Sequence, residues 1–253
     1  MVAAYFMPAT LVIQSHRNPL PCRWLAACID SVADWAHANR FDYRFIDDNF
    51  FDLLAPALLE KVSEQLVIAS DLARLKGLQQ GFAEGYDCVI WCDADFLIFD
   101  PKQFVLPDSD FALGREVWVQ QDESGKLKSY TKVHNAFLMF RRGNHFLDFY
   151  CDTAERLLEL NQGRMSPQFI GPKLLSALHN IAQCPVMEMA GMLSPLVMRD
   201  LIAGRGDALE LFVKKSPHAP AGANLSSSLT EREGFSEMEM ETLIKQLELK
   251  GIK

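Results

Sequence analysis

What the chain lacks narrows the field first. Its six cysteines (Cys22, Cys28, Cys88, Cys92, Cys151 and Cys184) form no CxxC pair, and none stands near a histidine at zinc-finger spacing. Most lie in apolar surroundings, where a free thiol acts as a small buried hydrophobe. This usage fits a reducing compartment, and the expected location is cytoplasmic. The opening residues, MVAAYFMPATLVIQSHRNPLP, have neither the basic start nor the long apolar core of a secretory signal. No run approaches the roughly 18–20 apolar residues of a membrane span. Positive charge is short as well: 25 Lys and Arg face 33 Asp and Glu, a net charge of −8, with a pI near 5.3. That balance argues against nucleic acid or an anionic membrane as partner, and an anionic ligand would need a metal ion or a few placed basic groups. There is no internal repeat and no low-complexity tract.

What is present is a chain of 253 residues, 49% of them hydrophobic and 23% charged, enough for one domain spanning 1–253 with a sizeable core. ATLVIQS (9–15) reads as a buried first strand. Trp24, Leu25, Cys28, Ile29, Val32 and Trp35 follow at helical spacing. FDYRFIDD (41–48) alternates as a second strand ending at Asp47 and Asp48. The segment 57–80 has a helical pattern that Gly81 and Gly85 break before a strand at 88–92. DFALGRE (110–116) and NAFLMFRR (135–142) are strand-like, with a polar excursion and a turn at Ser124-Gly125 between them. Helices are expected from Phe146 to Leu157 and after the Gly171-Pro172 turn. Residues 200–253 read as a C-terminal loop and helix closing the site, with a capping box of Ser236 and Glu239 at the last helix. Strands alternating with helices over the first 100 residues predict an α/β fold with a mixed, mainly parallel central sheet flanked by helices, and ligands at the carboxyl ends of its strands.

One stretch stands out at such a strand end: DCVIWCDADFLIFDP (87–101), in which two acids, Asp93 and Asp95, interrupt one of the most apolar segments. In an extended chain alternate side chains share a side, so the two carboxylates would face one way with Ala94 opposite. Paired carboxylates repel and resist desolvation. A hard divalent cation, Mn²⁺ or Mg²⁺, relieves both costs and takes carboxylates together with phosphate oxygens and water. A lone DxD also arises by chance and caps a turn, but the apolar β-prone run before it and FLIFDP after it favour a metal site at Asp93 and Asp95.

The longer stretch ASDLARLKGLQQGFAEGYDCVIWCDADFLIF resembles the signature of GT-A glycosyltransferases with a DxD sugar-binding region, as in yeast-type Golgi mannosyltransferases and the glucosylating domains of clostridial toxins. Ser70, Asp71 and Arg74 match its first part, Asp93, Ala94 and Asp95 its second, and Trp91 stands at the aromatic position. FDYRFIDDNFFDLLAPALLEK, HNAFLMFRRGNHFLDFY and GPKLL resemble further segments, so the likeness spans roughly residues 10–230. It implies a GT-A (Rossmann-like) fold and a hexosyltransferase that moves sugar from a nucleotide-sugar donor, UDP-linked in the commonest case, with retention at the anomeric carbon. The acceptor would be a glycan, a lipid-linked molecule or a protein.

The resemblance also implies roles. Asp71 and Arg74 hold sugar hydroxyls or ribose. Gln14 and Ser15 sit at the nucleotide rim. Asn135 and Gln168, with His134 and Lys173, line the sugar or acceptor side, and Ser227 meets the phosphates. NLSSSL places Asn224, Ser227 and Leu229 at the family's C-terminal metal motif; this departs from the pattern in having a neutral Asn and no Trp, and His218 competes as third ligand. His16 and Arg17 read as surface, and Trp24 and Trp35 as core. Two rival readings stand. DADFL resembles the DxDxT start of haloacid-dehalogenase phosphotransferases, but Phe96-Leu97 follow and the motif lies far from the first strand. A non-catalytic nucleotide-sugar-binding protein of the same fold is the other. A sugar nucleotidyltransferase would need a glycine-rich basic loop near the N-terminus, and VIQSHRNPLP has no glycine.

Overall fold

The structure, a computed structural model, describes residues 8–252. Strand β1 (Thr10–Ser15) is the apolar run near the N-terminus, and Leu11, Val12 and Ile13 in it are inaccessible to solvent. Helix α1 (Trp24–Ala38) packs the expected stripe: Trp24, Leu25, Cys28, Val32 and Trp35 are all buried. The chain returns in β2 (Asp42–Ile46), parallel to β1. A 3-10 turn at Asp48–Leu53 then leads to α2 (Pro56–Val62) and α3 (Leu66–Ala83). These two replace the single helix expected over 57–80. Gly81 does not end α3 but lies inside it, where a Cβ would stand 2.8 Å from Val89 Cγ1, so helix and sheet meet closely there. Gly85, at φ +107°, makes the turn into β3 (Cys88–Cys92), which joins the other side of β1 in parallel.

Beyond β3 the pairing changes sense. β4 (Phe96–Ile98) leaves for a second sheet. β5 (Phe111–Gln121) and β6 (Leu127–Arg141) form a long antiparallel hairpin, so the polar excursion around Ser124-Gly125 is the tip of a ribbon and not a loop between short strands. Their register shifts at Leu113/Gly114, where the His134 ring fills the space a Gly114 side chain would take. β6 pairs antiparallel with β3. α4 (Phe146–Leu160) and α5 (Pro172–Ala182) follow, then β7 (Val186–Met187), parallel to β5. The main sheet runs β2-β1-β3-β6-β5-β7, the mixed, mostly parallel sheet expected.

β8 (Ala190–Met192), α6 (Pro195–Ala203), α7 (Asp207–Lys215), β9 (Gly222–Asn224), α8 (Ser227–Arg232) and α9 (Glu237–Lys250) complete the described chain. The second sheet runs β4-β9-β8. The stretch 200–253, expected as a loop and one helix, thus also holds α7, β9 and α8; Gly-Ala-Asn conceals β9 because none of the three favours strands. The capping box is as expected: Ser236 Oγ accepts from the Glu239 N–H, and the Glu239 side chain accepts from the Ser236 N–H. Five of the six cysteines are buried. No helix among the described residues is long and apolar enough to cross a membrane.

Candidate active site

The two acids sit on a turn, not on a strand. β3 ends at Cys92, and the Phe96 N–H donates to the Asp93 carbonyl (3.0 Å), closing a tight turn over 93–96. Strand alternation therefore does not place the carboxylates. Both nevertheless line one cavity of about 680 Å³ at the carboxyl ends of β1 and β3, a volume in the range of small-molecule sites.

Asp93 belongs to the sheet. Its N–H donates to the Ala136 carbonyl of β6 (2.9 Å). Its Oδ1 accepts from the Trp91 indole N–H (2.7 Å) and pairs with Arg74 Nη1 (3.2 Å). No hydrogen bond or ion pair to Oδ2 is made among the described residues. Arg74 is itself buried. It donates to the Asn135 carbonyl (2.8 Å), pairs with Asp71 Oδ1 (3.3 Å) and lies 5.3 Å over the Trp91 ring, which stacks on Phe50. Asp71 and Arg74 share a helix face, as their spacing implies, but the face is interior. Asn135 Nδ2 donates to Asp71 Oδ1 (2.8 Å). Burial pushes the Asp71 carboxyl up to about 6 against the pull of Arg74 and Asn135, and Asp93 adds to the rise. Gly171 passes so close that a Cβ there would overlap Asp71 Oδ2 and stand 2.8 Å from Asn135 Nδ2.

Asp95 belongs to the C-terminal segment. Asn224 Nδ2 donates to its Oδ1 (2.5 Å), the Ser227 N–H to its Oδ2 (2.6 Å), and the Leu225 N–H to its carbonyl (2.9 Å). With neutral partners only, burial first and Asp93 second push its carboxyl up to about 6.

The expected residues divide accordingly. Ser15, Arg74, Trp91, Asp93, Ala94, Asp95 and Ser227 line the cavity. Asp71 and Asn135 lie behind Arg74 and brace it without reaching the cavity wall. Gln14 is wholly buried, and its amide meets the Asp93 carbonyl (2.9 Å) instead of a nucleotide rim. Asn224 turns its NH₂, not its oxygen, toward Asp95. Its Oδ1 accepts from Ser226 N–H (2.8 Å), and turning the amide over would set an NH₂ against that donor. Gln168 is exposed on the turn before α5, outside the cavity lining, and Lys173 is exposed with Nζ on Ser166 Oγ. His218 is exposed and also outside the lining. His134, expected on the sugar or acceptor side, lies buried in mid-β6 outside the cavity lining; its Nδ1 accepts from Ala136 N–H and its Nε2 meets the Ala190 carbonyl, and burial brings its pKa down to about 4. Among the described residues no group of three His, Cys, Asp or Glu is placed to hold a metal.

His16 and Arg17 after β1, read as surface, stand on the cavity wall, and so do Asp47 and Asp48 after β2, Phe50, and Glu237 at the start of α9. The first four were within reach: they follow the carboxyl ends of parallel strands, where such sheets bind ligands.

No family model and no curated protein matches the sequence. Among solved structures, a glycosyltransferase involved in the glycosylation of the major capsid of PBCV-1 superimposes with a TM-score of 0.50, at 9% identity, over 94% of this chain and 99% of that one. The fold is that of the GT-A glycosyltransferases. The galactosyltransferase LgtC, in complex with donor and acceptor sugar analogs, aligns at a TM-score of 0.48 and 14% identity, over 93% of this chain and 95% of that one. At such identities the likeness concerns the GT-A fold and leaves chemistry to the cavity.

Proposed function

We propose that the cavity is the donor site of a glycosyltransferase that moves a sugar from a nucleotide sugar to an acceptor hydroxyl. The observation that carries this reading is the Asp93–Asp95 turn, set at the carboxyl end of a central strand beside a buried, pinned Arg74, in a GT-A fold. Charge on the wall supports it. Asp47, Asp48, Asp93, Asp95, Glu231 and Glu237 face only Arg17 and Arg74, with His16 beside them. A diphosphate in such a cavity needs a cation.

The residues fit Mn²⁺ or Mg²⁺. Asp93 keeps Oδ2 unengaged, and each Asp95 oxygen has a lone pair beyond the one hydrogen bond it accepts. With no third acidic or histidine ligand grouped beside them among the described residues, an ion held by Asp93 and Asp95 would complete its shell from donor phosphates and water, the usual habit of these ions. When bound, it would act as a Lewis acid for the departing diphosphate, an effect worth several kcal/mol. The chain's own groups do the rest. Arg17 and His16 flank the phosphates from the β1 end. Arg74, held by Asp71, Asp93 and Asn135 in a partly desolvated wall, presents a fixed positive charge where negative charge grows. Ser15 and Ser227 offer hydroxyls at the rim. UDP as carrier and retention at the anomeric carbon rest on the sequence resemblance, and the acceptor is a glycan, lipid-linked or protein hydroxyl.

A thermal-shift panel of nucleotide sugars with and without Mn²⁺ tests the reading. One donor, UDP-linked in the first instance, should stabilise the protein only with metal, by about 2.7 kcal/mol at 100-fold excess over Kd. Donor hydrolysis in the same mixture separates an enzyme from a binder, and the product's anomeric configuration decides retention. A panel without any metal-dependent shift would remove the donor site.

A further inference from the structure

β1 raises a question that its neighbours do not. Why does a strand whose residues Thr10 to Gln14 are all buried carry a glutamine as the last of them? A buried amide is unfavourable unless its donors and acceptor are matched. Gln14 is fully inaccessible, and both ends of its amide are engaged: Nε2 donates to the Asp93 carbonyl (2.9 Å) and Oε1 accepts from the Tyr43 hydroxyl of β2 (2.9 Å). The orientation is forced. A carbonyl can only accept, so the NH₂ must face Asp93, and the tyrosine must then donate to Oε1.

The place matters as much as the bonds. The β1-β3 pairing ends at Ile13 and Trp91. One residue further on, where main-chain pairing stops and the acid-bearing turn begins, the Gln14 side chain takes over the bond to β3's chain. On the opposite side the Asp93 N–H is still held by Ala136 of β6. The Asp93 peptide is thus clamped from both neighbouring strands, and the clamp's outer end is a hydroxyl on the sheet's edge strand.

We infer that Gln14 and Tyr43 are positioning residues that fix the turn so that Asp93 and Asp95 present their oxygens to one divalent cation. This rests on the metal-dependent donor site proposed above. Neither residue lines the cavity; Gln14 sets the carbonyl from which the turn starts, and Tyr43 holds the far end of the glutamine amide in place. Outer partners of metal ligands typically change affinity by about 10–100-fold.

The test measures Mn²⁺ binding to the folded protein in the presence of UDP, from the electron-paramagnetic-resonance signal of free Mn²⁺. The variants are Gln14→Met and Tyr43→Phe, with Asp200→Ala as a control that removes the cap of α7, where Asp200 accepts from the Ala208 and Leu209 N–H groups outside the cavity lining. Gln14→Met should raise the Mn²⁺ dissociation constant by about 10-fold or more, and Tyr43→Phe by about 3–10-fold, while Asp200→Ala lowers thermal stability and leaves Mn²⁺ affinity unchanged. Should Gln14→Met fail to fold, Tyr43→Phe decides alone. Folded variants with wild-type Mn²⁺ affinity overturn the positioning role and leave the donor site standing. A wild-type protein that takes up no Mn²⁺ overturns both.

Discussion

The cavity has two walls that hold their acids in opposite ways. The sheet wall, from β1, β3 and α3, matches Asp93 with a guanidinium and an indole N–H, and behind it Arg74 is braced by Asp71 and Asn135. The C-terminal wall, from 224–237, matches Asp95 with a neutral amide and a backbone N–H. One acid is compensated by charge inside the core. The other is only solvated by dipoles, and its carboxyl rises to about 6. The difference teaches where a cation would have most effect. At Asp93 it adds to positive charge already present, whereas at Asp95 it supplies what the fold withholds.

If Arg74 organises the sheet wall, removing it should have the largest effect. Arg74→Met leaves Asp71 and Asp93 without their shared cation, and unfolding free energy should fall by about 3–5 kcal/mol, as when one partner of a buried pair is lost; urea titration reads this. A loss under about 1 kcal/mol would show that the wall stands without it. Crowding the brace from behind should act more mildly. Gly171→Ala drives a methyl into Asp71 Oδ2 and Asn135 Nδ2, and the same titration should lose about 1–3 kcal/mol.

pH sharpens the contrast at the other wall. A free aspartate titrates near 3.9, and native Asp95 near 6. Between those values the native state holds a proton that the unfolded chain has released. The Asp95 contribution is therefore fully present at low pH and is lost as pH rises through about 6. From pH 4 to pH 7 the metal-free wild type should lose about 2 kcal/mol relative to Asp95→Asn, which cannot titrate. Parallel stability curves for the two proteins would show that Asp95 is not raised. The smallest effect is expected where the C-terminal wall meets α1. Glu237 accepts from the N–H groups of Arg23 and Trp24, capping a helix whose own N-cap side chain makes no bond. Glu237→Ala should lower the melting free energy by about 0.5–2 kcal/mol.

The two walls also differ in how legible they were. The sheet wall follows from local patterns: an apolar run predicts β3, i,i+3 spacing predicts the Asp71–Arg74 pair, and strand ends predict the cavity. What its residues hid was depth. Spacing could not tell that Asp71 and Asn135 stand behind Arg74, or that Gln14 points at a carbonyl, because burial depends on which strands are neighbours. The C-terminal wall was read least well. Asn224 sits on a three-residue strand without strand-forming residues, and its Oδ1 accepts from the Ser226 N–H two positions on, an Asx-turn whose pattern gives no sign that the NH₂ meets Asp95, 129 residues away. The turn at 93–96 shows the same limit. Alternation put both acids on one side of a strand, while the structure brings them to one cavity through a turn.

The central claim, that Asp93 and Asp95 together hold a divalent cation that anchors a diphosphate, is tested most directly by crystals soaked with Mn²⁺ and a nucleoside diphosphate. Anomalous difference density should show a single Mn²⁺ bonded to oxygens of both aspartates and to the diphosphate. Diphosphate bound with no Mn²⁺ between those carboxylates, or Mn²⁺ held elsewhere, would contradict it.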